Sequence, residues 1–318
     1  MNRNRFQLFP PNLIDAGPTR QFIWLLILCL AGFSIASFFS IAISSLFFGF
    51  SLSEIASFPS NPDQAGALTV LRLSQFLSAC GLFLFPPMAL CYLRSISFSK
   101  GLHIKQKPQF ALFILAMVLM WIQLPLINLL ATFNNTLVFP EILKPLGEWM
   151  RIQEDQAAKL TEAFLFMPNP SDLVISLIIM ALIPALGEEF IFRSTLQPMF
   201  AKWTNKPVLA IWITAFVFSF IHFQFFGFLP RFFIGAFLGY LFYWSGSVWY
   251  SVAAHFANNG LAVFVYYLKQ HHVINFTTDE LGSGSNSQIQ IAISFCLIFF
   301  GLLLFKRRLQ SQTYSERE

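Results

Sequence analysis

Eight segments of this chain are long and apolar enough to cross a lipid bilayer as helices. They cover residues 22–50, 73–93, 110–133, 171–200, 207–227, 229–244, 247–268 and 288–305. A transmembrane helix needs roughly 20 mostly apolar residues, because the hydrocarbon core is about 30 Å thick. In that core every backbone N–H and C=O must find a partner within the protein, which favours helices. The pattern therefore predicts an all-α polytopic membrane protein, a bundle of about eight transmembrane helices.

The composition agrees with a lipid environment. Of the 318 residues, 56% are hydrophobic and only 11% are charged, whereas soluble domains carry about 25% charged residues. A soluble protein could not cover its surface with so few polar groups. The net charge of +5 is small, and the basic residues cluster between apolar segments. We therefore expect the lipid bilayer as a partner, and no nucleic acid.

The loops alternate in the sign of their charge. The loop 94–109 carries basic residues and no acidic one, the loop 134–170 is rich in acidic residues, and the last apolar segment ends in Lys306-Arg307-Arg308. Basic loops stay on the cytoplasmic side of a membrane. The alternation predicts an integral membrane protein with both termini inside, N-in and C-in.

The chain is interpreted as a single membrane domain over residues 1–318. Its parts are the N-terminal spans 1–133, an outer loop 134–170, a core 171–268, and a final part 269–318 that holds a connector, the last span and a basic cytoplasmic tail. Residues 140–165 combine charges with apolar residues at helical spacing. This pattern predicts an amphipathic helix that either lies on the outer interface or caps the bundle. The Gly-Ser-rich stretch 282–287 predicts a flexible connector.

Ionisable side chains deep in the predicted bilayer are confined to three spans. The fourth span carries Glu188, Glu189 and Arg193, and the fifth carries His222. The seventh carries His255, together with the amide Asn259. Such residues are costly inside a membrane, and a functional role is the first hypothesis for them.

Helical geometry separates the two adjacent carboxylates. Glu189 and Arg193 are four residues apart with the acid first, which favours an ion pair between them. Glu188 is rotated by about 100° from Glu189 and so faces another neighbour. His255 and Asn259 are also four residues apart and share one face of their helix.

These residue types leave several interpretations open. A carboxylate, two imidazoles and an amide are the parts needed to activate water and to stabilise an oxyanion. The side chains of Glu188, His222 and His255 could instead bind a divalent metal such as zinc. A transporter could use the same groups as a proton relay. Each His or Asn could also serve only as an interhelical hydrogen bond.

Three motifs give the chain a resemblance to a known family. They are Glu188-Glu189-x-x-x-Arg193, Phe218-x-x-x-His222 and His255-x-x-x-Asn259. In order and spacing they resemble the CPBP family of intramembrane proteases, which includes the CAAX prenyl endopeptidases and bacterial relatives named for bacteriocin processing. The glycine pair Gly235-x-x-x-Gly239 and the turn 245–249 are also similar to that family. The resemblance covers residues 171–268, which would form its catalytic core.

The resemblance implies a role for each motif residue. Glu188 would be the general base and would polarise a water molecule together with His222. His255 and Asn259 would stabilise the tetrahedral oxyanion, and the supporting ion pair would be formed by Glu189 and Arg193.

The resemblance also implies an activity and a location. The protein would be an endopeptidase for a membrane-associated peptide or protein, in the cytoplasmic membrane of a bacterium. Whether the mechanism is glutamate-type or metal-dependent stays open, and no His-Glu-x-x-His zinc motif is present. A non-catalytic membrane scaffold or immunity factor is the alternative from outside the enzymes.

The predicted boundaries place Glu188 and His222 at different depths in the bilayer. They place Glu188 near the middle of its span, and His222 about two turns from the middle of the next. The two side chains meet only if the spans tilt or break. Pro184 and Gly187 precede the carboxylates, and they allow such a break.

Overall fold

The computed structural model describes Leu13 and residues 16–136, 140–282 and 287–315. Every regular element in these residues is helical, and no strand occurs in them. The helices are α1 (Pro18–Phe48), α2 (Leu52–Ser57), α3 (Ala67–Leu93), α4 (Phe98–Gly101), α5 (Phe110–Asn135), α6 (Lys144–Phe164), α7 (Pro170–Thr204), α8 (Pro207–Phe220), α9 (Phe228–Ser245), α10 (Val248–Gln270) and α11 (Ser287–Ser315). The predicted all-α class is confirmed.

Proline and glycine set several of the helix ends. Pro18, Pro170 and Pro207 each occupy the first turn of a helix, where a missing N–H costs no hydrogen bond. Gly49 and Gly246 follow α1 and α9 with φ values of 76° and 64°. That left-handed conformation closes a helix and suits a residue without a side chain.

The count of about eight spans is not confirmed. Six helical stretches in the described residues are long and apolar enough to cross a membrane: α1, α3, α5, α7, α11 and Phe225–Ser245, which contains α9. Helix α8 has only 14 residues. Helix α10 has 23 residues but carries polar groups along its length and is not among the six.

The fifth predicted span was too long. It was placed at 207–227, but α8 ends at Phe220 and the chain then turns. Phe223 has a φ of 52°, a left-handed conformation that no helix continues through. His222 therefore lies just beyond the end of α8 and not inside a helix.

Three wide helical turns interrupt the long helices. They lie at Cys80–Leu84 in α3 and at Leu177–Leu182 and Phe192–Leu196 in α7. Each is followed within a few residues by a proline, Pro86, Pro184 or Pro198. A proline ring clashes with the carbonyl four residues earlier, and a turn of the π type relieves that clash by widening the helix. The two carboxylates of α7 thus lie on a short regular stretch between two such turns.

Helices α7, α8 and α9 pack closely against one another at Gly235 and Gly239. A Cβ atom at Gly239 would come within 2.7 Å of Ile211 on α8. The bare backbone also admits two side chains from α7. Arg193 Nη2 donates to Gly235 O at 2.9 Å, and Gln197 Nε2 donates to Gly239 O at 3.0 Å.

Helix α6 covers one end of the bundle. Leu160 and Phe164 pack against the buried cluster around Phe58 and Ala67. Ser176 Oγ on α7 donates to Phe164 O at 2.9 Å. These contacts pack the C-terminal part of α6 against α3 and α7, while no residue of α6 is buried. Most of the predicted connector 282–287 lies outside the described residues.

Candidate active site

One cavity of about 520 Å³ contains most of the polar residues singled out in the sequence. Its walls come from α3, from the five helices α6 to α10 and from the turn after α8. Its polar lining consists of Gln75, Thr161, Glu188, His222, Gln224, Arg231, His255, Asn258 and Asn259. The four predicted catalytic residues thus lie on a single cavity, while Glu189 and Arg193 are fully buried outside its lining.

His255 lies between the two adjacent carboxylates. Its Nδ1 is 2.9 Å from Glu189 Oε1, and its Nε2 is 3.8 Å from Glu188 Oε2. An ionised carboxylate can only accept a hydrogen bond, so Nδ1 carries a proton and donates it to Glu189. The ring is thereby held with Nε2 directed toward Glu188 at the cavity.

Glu189 and Arg193 form a fully buried ion pair. Glu189 Oε2 lies 3.1 Å from Arg193 Nε, and neither side chain is exposed. The guanidinium also donates to Gly235 O and lies 4.9 Å from the centre of the Phe218 ring, a distance typical of a cation–π contact. The two charges compensate each other, and the remaining oxygen of Glu189 holds His255.

His222 extends from the end of α8 into the cavity. Its Nδ1 lies 2.7 Å from Phe218 O. A carbonyl only accepts, so Nδ1 carries the proton, and Nε2 of the neutral ring has a free lone pair. Because α8 ends early and α7 is widened before Glu188, the predicted difference in depth does not separate His222 from Glu188. Both side chains line the same cavity.

Asn259 joins α10 to the widened part of α7. Its Nδ2 donates to Met180 O at 3.2 Å, and its Oδ1 accepts from Asn258 Nδ2 at 3.0 Å. Met180 is four residues before Pro184, which has no N–H to offer that carbonyl. One Nδ2 hydrogen of Asn259 is used in this contact, and the second stays available for a ligand in the cavity.

Arg231 and Gln224 are cavity residues that the sequence reasoning missed. Arg231 Nη1 donates to Gln224 O at 2.8 Å, and Nη2 donates to Gln224 Oε1 at 2.5 Å. In the described part of the chain, no carboxylate lies within 4.0 Å of this guanidinium. The sequence does give a signal for Arg231, because this arginine lies just inside the span predicted at 229–244.

The proposed metal ligands do not form a metal site. Among the described residues, no three side chains of His, Cys, Asp or Glu are grouped closely enough to hold an ion. A catalytic zinc site needs three such protein ligands. Glu188, His222 and His255 line one cavity without meeting that requirement, and a metalloprotease is not supported.

A family model described as type II CAAX prenyl endopeptidase Rce1-like matches residues 170–261. The matched segment contains α7, α8, α9 and the first half of α10, and with them all six motif residues. No match was found among the curated proteins or the solved structures. The match over residues 170–261, and the motifs that this segment carries, support the resemblance of the chain to the CPBP family of CAAX-type intramembrane proteases.

Proposed function

We propose that this protein is an intramembrane endopeptidase that hydrolyses a peptide bond with water activated by Glu188 and His222. One observation carries the proposal. Of two adjacent carboxylates, Glu189 has one oxygen in an ion pair with Arg193 and the other against His255 Nδ1, while Glu188 lines the cavity. A carboxylate that lines a cavity beside imidazoles is suited to general base catalysis.

Glu188 transfers a proton in both halves of the reaction. Its carboxylate accepts a proton from a water molecule that also donates a hydrogen bond to Nε2 of His222. The resulting hydroxide attacks the carbonyl carbon of the scissile peptide bond, and the negative charge moves to the carbonyl oxygen. Breakdown of this tetrahedral intermediate cleaves the C–N bond, and the protonated Glu188 returns its proton to the departing amine.

Hydrogen-bond donors on α10 stabilise the developing oxyanion. Nε2 of His255 faces the cavity, and the second Nδ2 hydrogen of Asn259 is available there. While Nδ1 donates to Glu189, donation from Nε2 requires the imidazolium form of His255. Each preorganised donor of this kind is worth about 10²- to 10³-fold in rate.

The substrate class is a membrane-associated peptide or protein. The cavity lies beneath α6 and between apolar helices, so a peptide reaches it from the bilayer or its interface. A prenylated CAAX peptide is the first probe, because the matching family is described by that activity. A bacteriocin-like leader and the tail of a membrane protein fit the same description.

The test uses purified protein in liposomes with a farnesylated peptide that ends in a CAAX sequence. In parallel, new peptide termini are mapped in membranes of cells that carry the parent protein or its Glu188→Gln variant. Glu148→Gln is the matched control, since Glu148 is exposed on α6. We expect cleavage products with the parent and the control, and none with Glu188→Gln. Equal product sets from all three proteins would overturn the proposal.

A further inference from the structure

The turn that carries His222 is strained at the next residue. We call residues 221–229 the His222 segment. Within it, Phe223 has a φ of 52°, which is rare for a bulky side chain. Strained residues of this kind persist only where the surrounding structure holds them, and they cluster at functional sites. The contacts that hold this segment therefore bear on the position of His222.

Five backbone groups of the His222 segment bind side chains. Two of the side chains are close in sequence: Ser219 Oγ donates to Phe228 O at 2.7 Å, and Arg231 Nη1 donates to Gln224 O at 2.8 Å. The other two side chains come from distant parts of the chain, Asn134 on α5 and Glu154 on α6. Glu154 Oε2 accepts from the backbone N–H of Phe226 at 3.3 Å.

Asn134 makes two of the five contacts with one amide group. Its Nδ2 donates to Phe225 O at 2.7 Å, and its Oδ1 accepts from the Leu229 N–H at 3.1 Å. The side chain is buried, with 3% of the residue exposed. The neighbouring Asn135 is exposed, and its Nδ2 donates to Ala131 O in its own helix at 3.0 Å. Asn134 thus ties together two points of the turn, from outside the family match at 170–261.

We infer that Asn134 is a positioning residue for His222, an inference that rests on the proposed function. The ring bond from His222 to Phe218 O sets the protonation of Nδ1, but both residues belong to the same helix end. The two Asn134 contacts tie this turn to α5, a separate part of the chain. Without the Asn134 amide, Phe223 relaxes from its left-handed conformation, and Nε2 of His222 moves from its place beside the attacking water.

The test compares Asn134→Ala, Asn134→Asp and Asn135→Ala in the full-length protein in liposomes. Asn134→Ala removes both contacts. Asn134→Asp is isosteric, keeps the acceptor for Leu229 and loses the donor to Phe225. Asn135→Ala removes the same side chain one position along without touching the segment. Hydrogen exchange of the peptide over 221–229 reports on the segment directly, and kcat and KM for the farnesylated CAAX peptide report on the site.

We expect Asn134→Ala to speed hydrogen exchange in the segment and to lower kcat by about 10- to 100-fold at unchanged KM. Asn134→Asp should impair the segment and kcat at least as much as Asn134→Ala, because its buried carboxylate would lie against Phe225 O. A residue that only stabilises the fold would instead lower the melting temperature and leave kcat of the folded protein unchanged. If Asn134→Ala matches Asn135→Ala in exchange and in kcat, the inference is wrong. If the parent itself does not cleave, the proposed function fails. Hydrogen exchange over residues 221–229 then tests by itself whether Asn134 holds the segment in place.

Discussion

The carboxylate of Glu189 and the imidazole of His255 meet at 2.9 Å between Oε1 and Nδ1, across 66 residues of sequence. The second oxygen of the same carboxylate lies 3.1 Å from Arg193 Nε. Glu189 thus connects a buried cation to a cavity residue. Glu188, one residue earlier, has no such pair of partners and is the carboxylate at the cavity.

Neutralising Glu189 should destabilise the protein strongly. Glu189→Gln leaves the guanidinium of Arg193 buried without a counter-charge, and breaking a buried pair in this way costs about 3–5 kcal/mol. The free energy of unfolding in detergent micelles measures the effect. The exposed Glu148→Gln control should stay within about 0.5 kcal/mol of the parent. A Glu189→Gln protein as stable as that control would show that the ion pair does not anchor the fold.

Adding a methyl group at Gly187 should force α3 away from α7. A Cβ atom there would come within 2.6 Å of Phe83 Cβ, which cannot move without its backbone. We expect Gly187→Ala to cost about 1–3 kcal/mol, the usual range for overpacking. Gly260→Ala on α10 is the control, because its nearest neighbours would be 3.8 Å away. Thermal unfolding of both variants gives the comparison, and equal melting temperatures would argue against close packing at Gly187.

Removing the Asn259 amide should lower kcat more than it raises KM. Asn259→Ala deletes the donor that we propose for the oxyanion, a charge that exists only in the transition state and intermediate, so kcat should fall by about 10²- to 10³-fold. The contact with Met180 O is lost as well. Steady-state kinetics on the farnesylated CAAX peptide separate the two constants. A variant that raises only KM would place Asn259 in substrate binding.

Acidification should weaken the protein through His103, in the loop between α4 and α5. Burial lowers the pKa of His103 below its ordinary value of 6.5. Its ring packs edge-on against Phe242 at 5.1 Å. Below pH 6.5 and down to the folded-state pKa, the unfolded chain binds more protons at this site. The free energy of unfolding therefore falls as the pH falls through that window.

A variant isolates this contribution. In His103→Gln the position no longer titrates, so unfolding free energies measured from about pH 7 to about pH 5 should fall less than in the parent. Parallel curves for the two proteins would show that His103 does not contribute to the acid sensitivity.

The sequence predicts contacts within one helix better than contacts between helices. Glu189 and Arg193 are one turn apart, so their pairing follows from helical spacing alone. The contact of Glu189 with His255 depends on how α10 packs against α7, and no local spacing encodes that packing. The contacts of Asn134 could not be predicted for the same reason, since its partners lie 91 and 95 residues away in the sequence.

The depth of His222 was difficult to predict for a different reason. Counting residues along ideal helices assumes a constant rise, but α7 widens before Pro184 and α8 ends at Phe220. Prolines at positions 184 and 198 signal a disturbance of the helix. They do not say which way the following residues rotate. The predicted count of eight spans included α8, which is too short, and α10, which is not among the six long apolar stretches of the described residues.

The most direct test of the account is the turnover of Glu188→Gln in liposomes, measured with the farnesylated CAAX peptide beside Glu148→Gln. We expect Glu188→Gln to keep the melting temperature of the parent and to lose about 10²- to 10⁴-fold in kcat, the usual contribution of a general base. Glu148→Gln should cleave like the parent. A folded Glu188→Gln protein that cleaves at the parent's rate would contradict the assignment of Glu188 as the base.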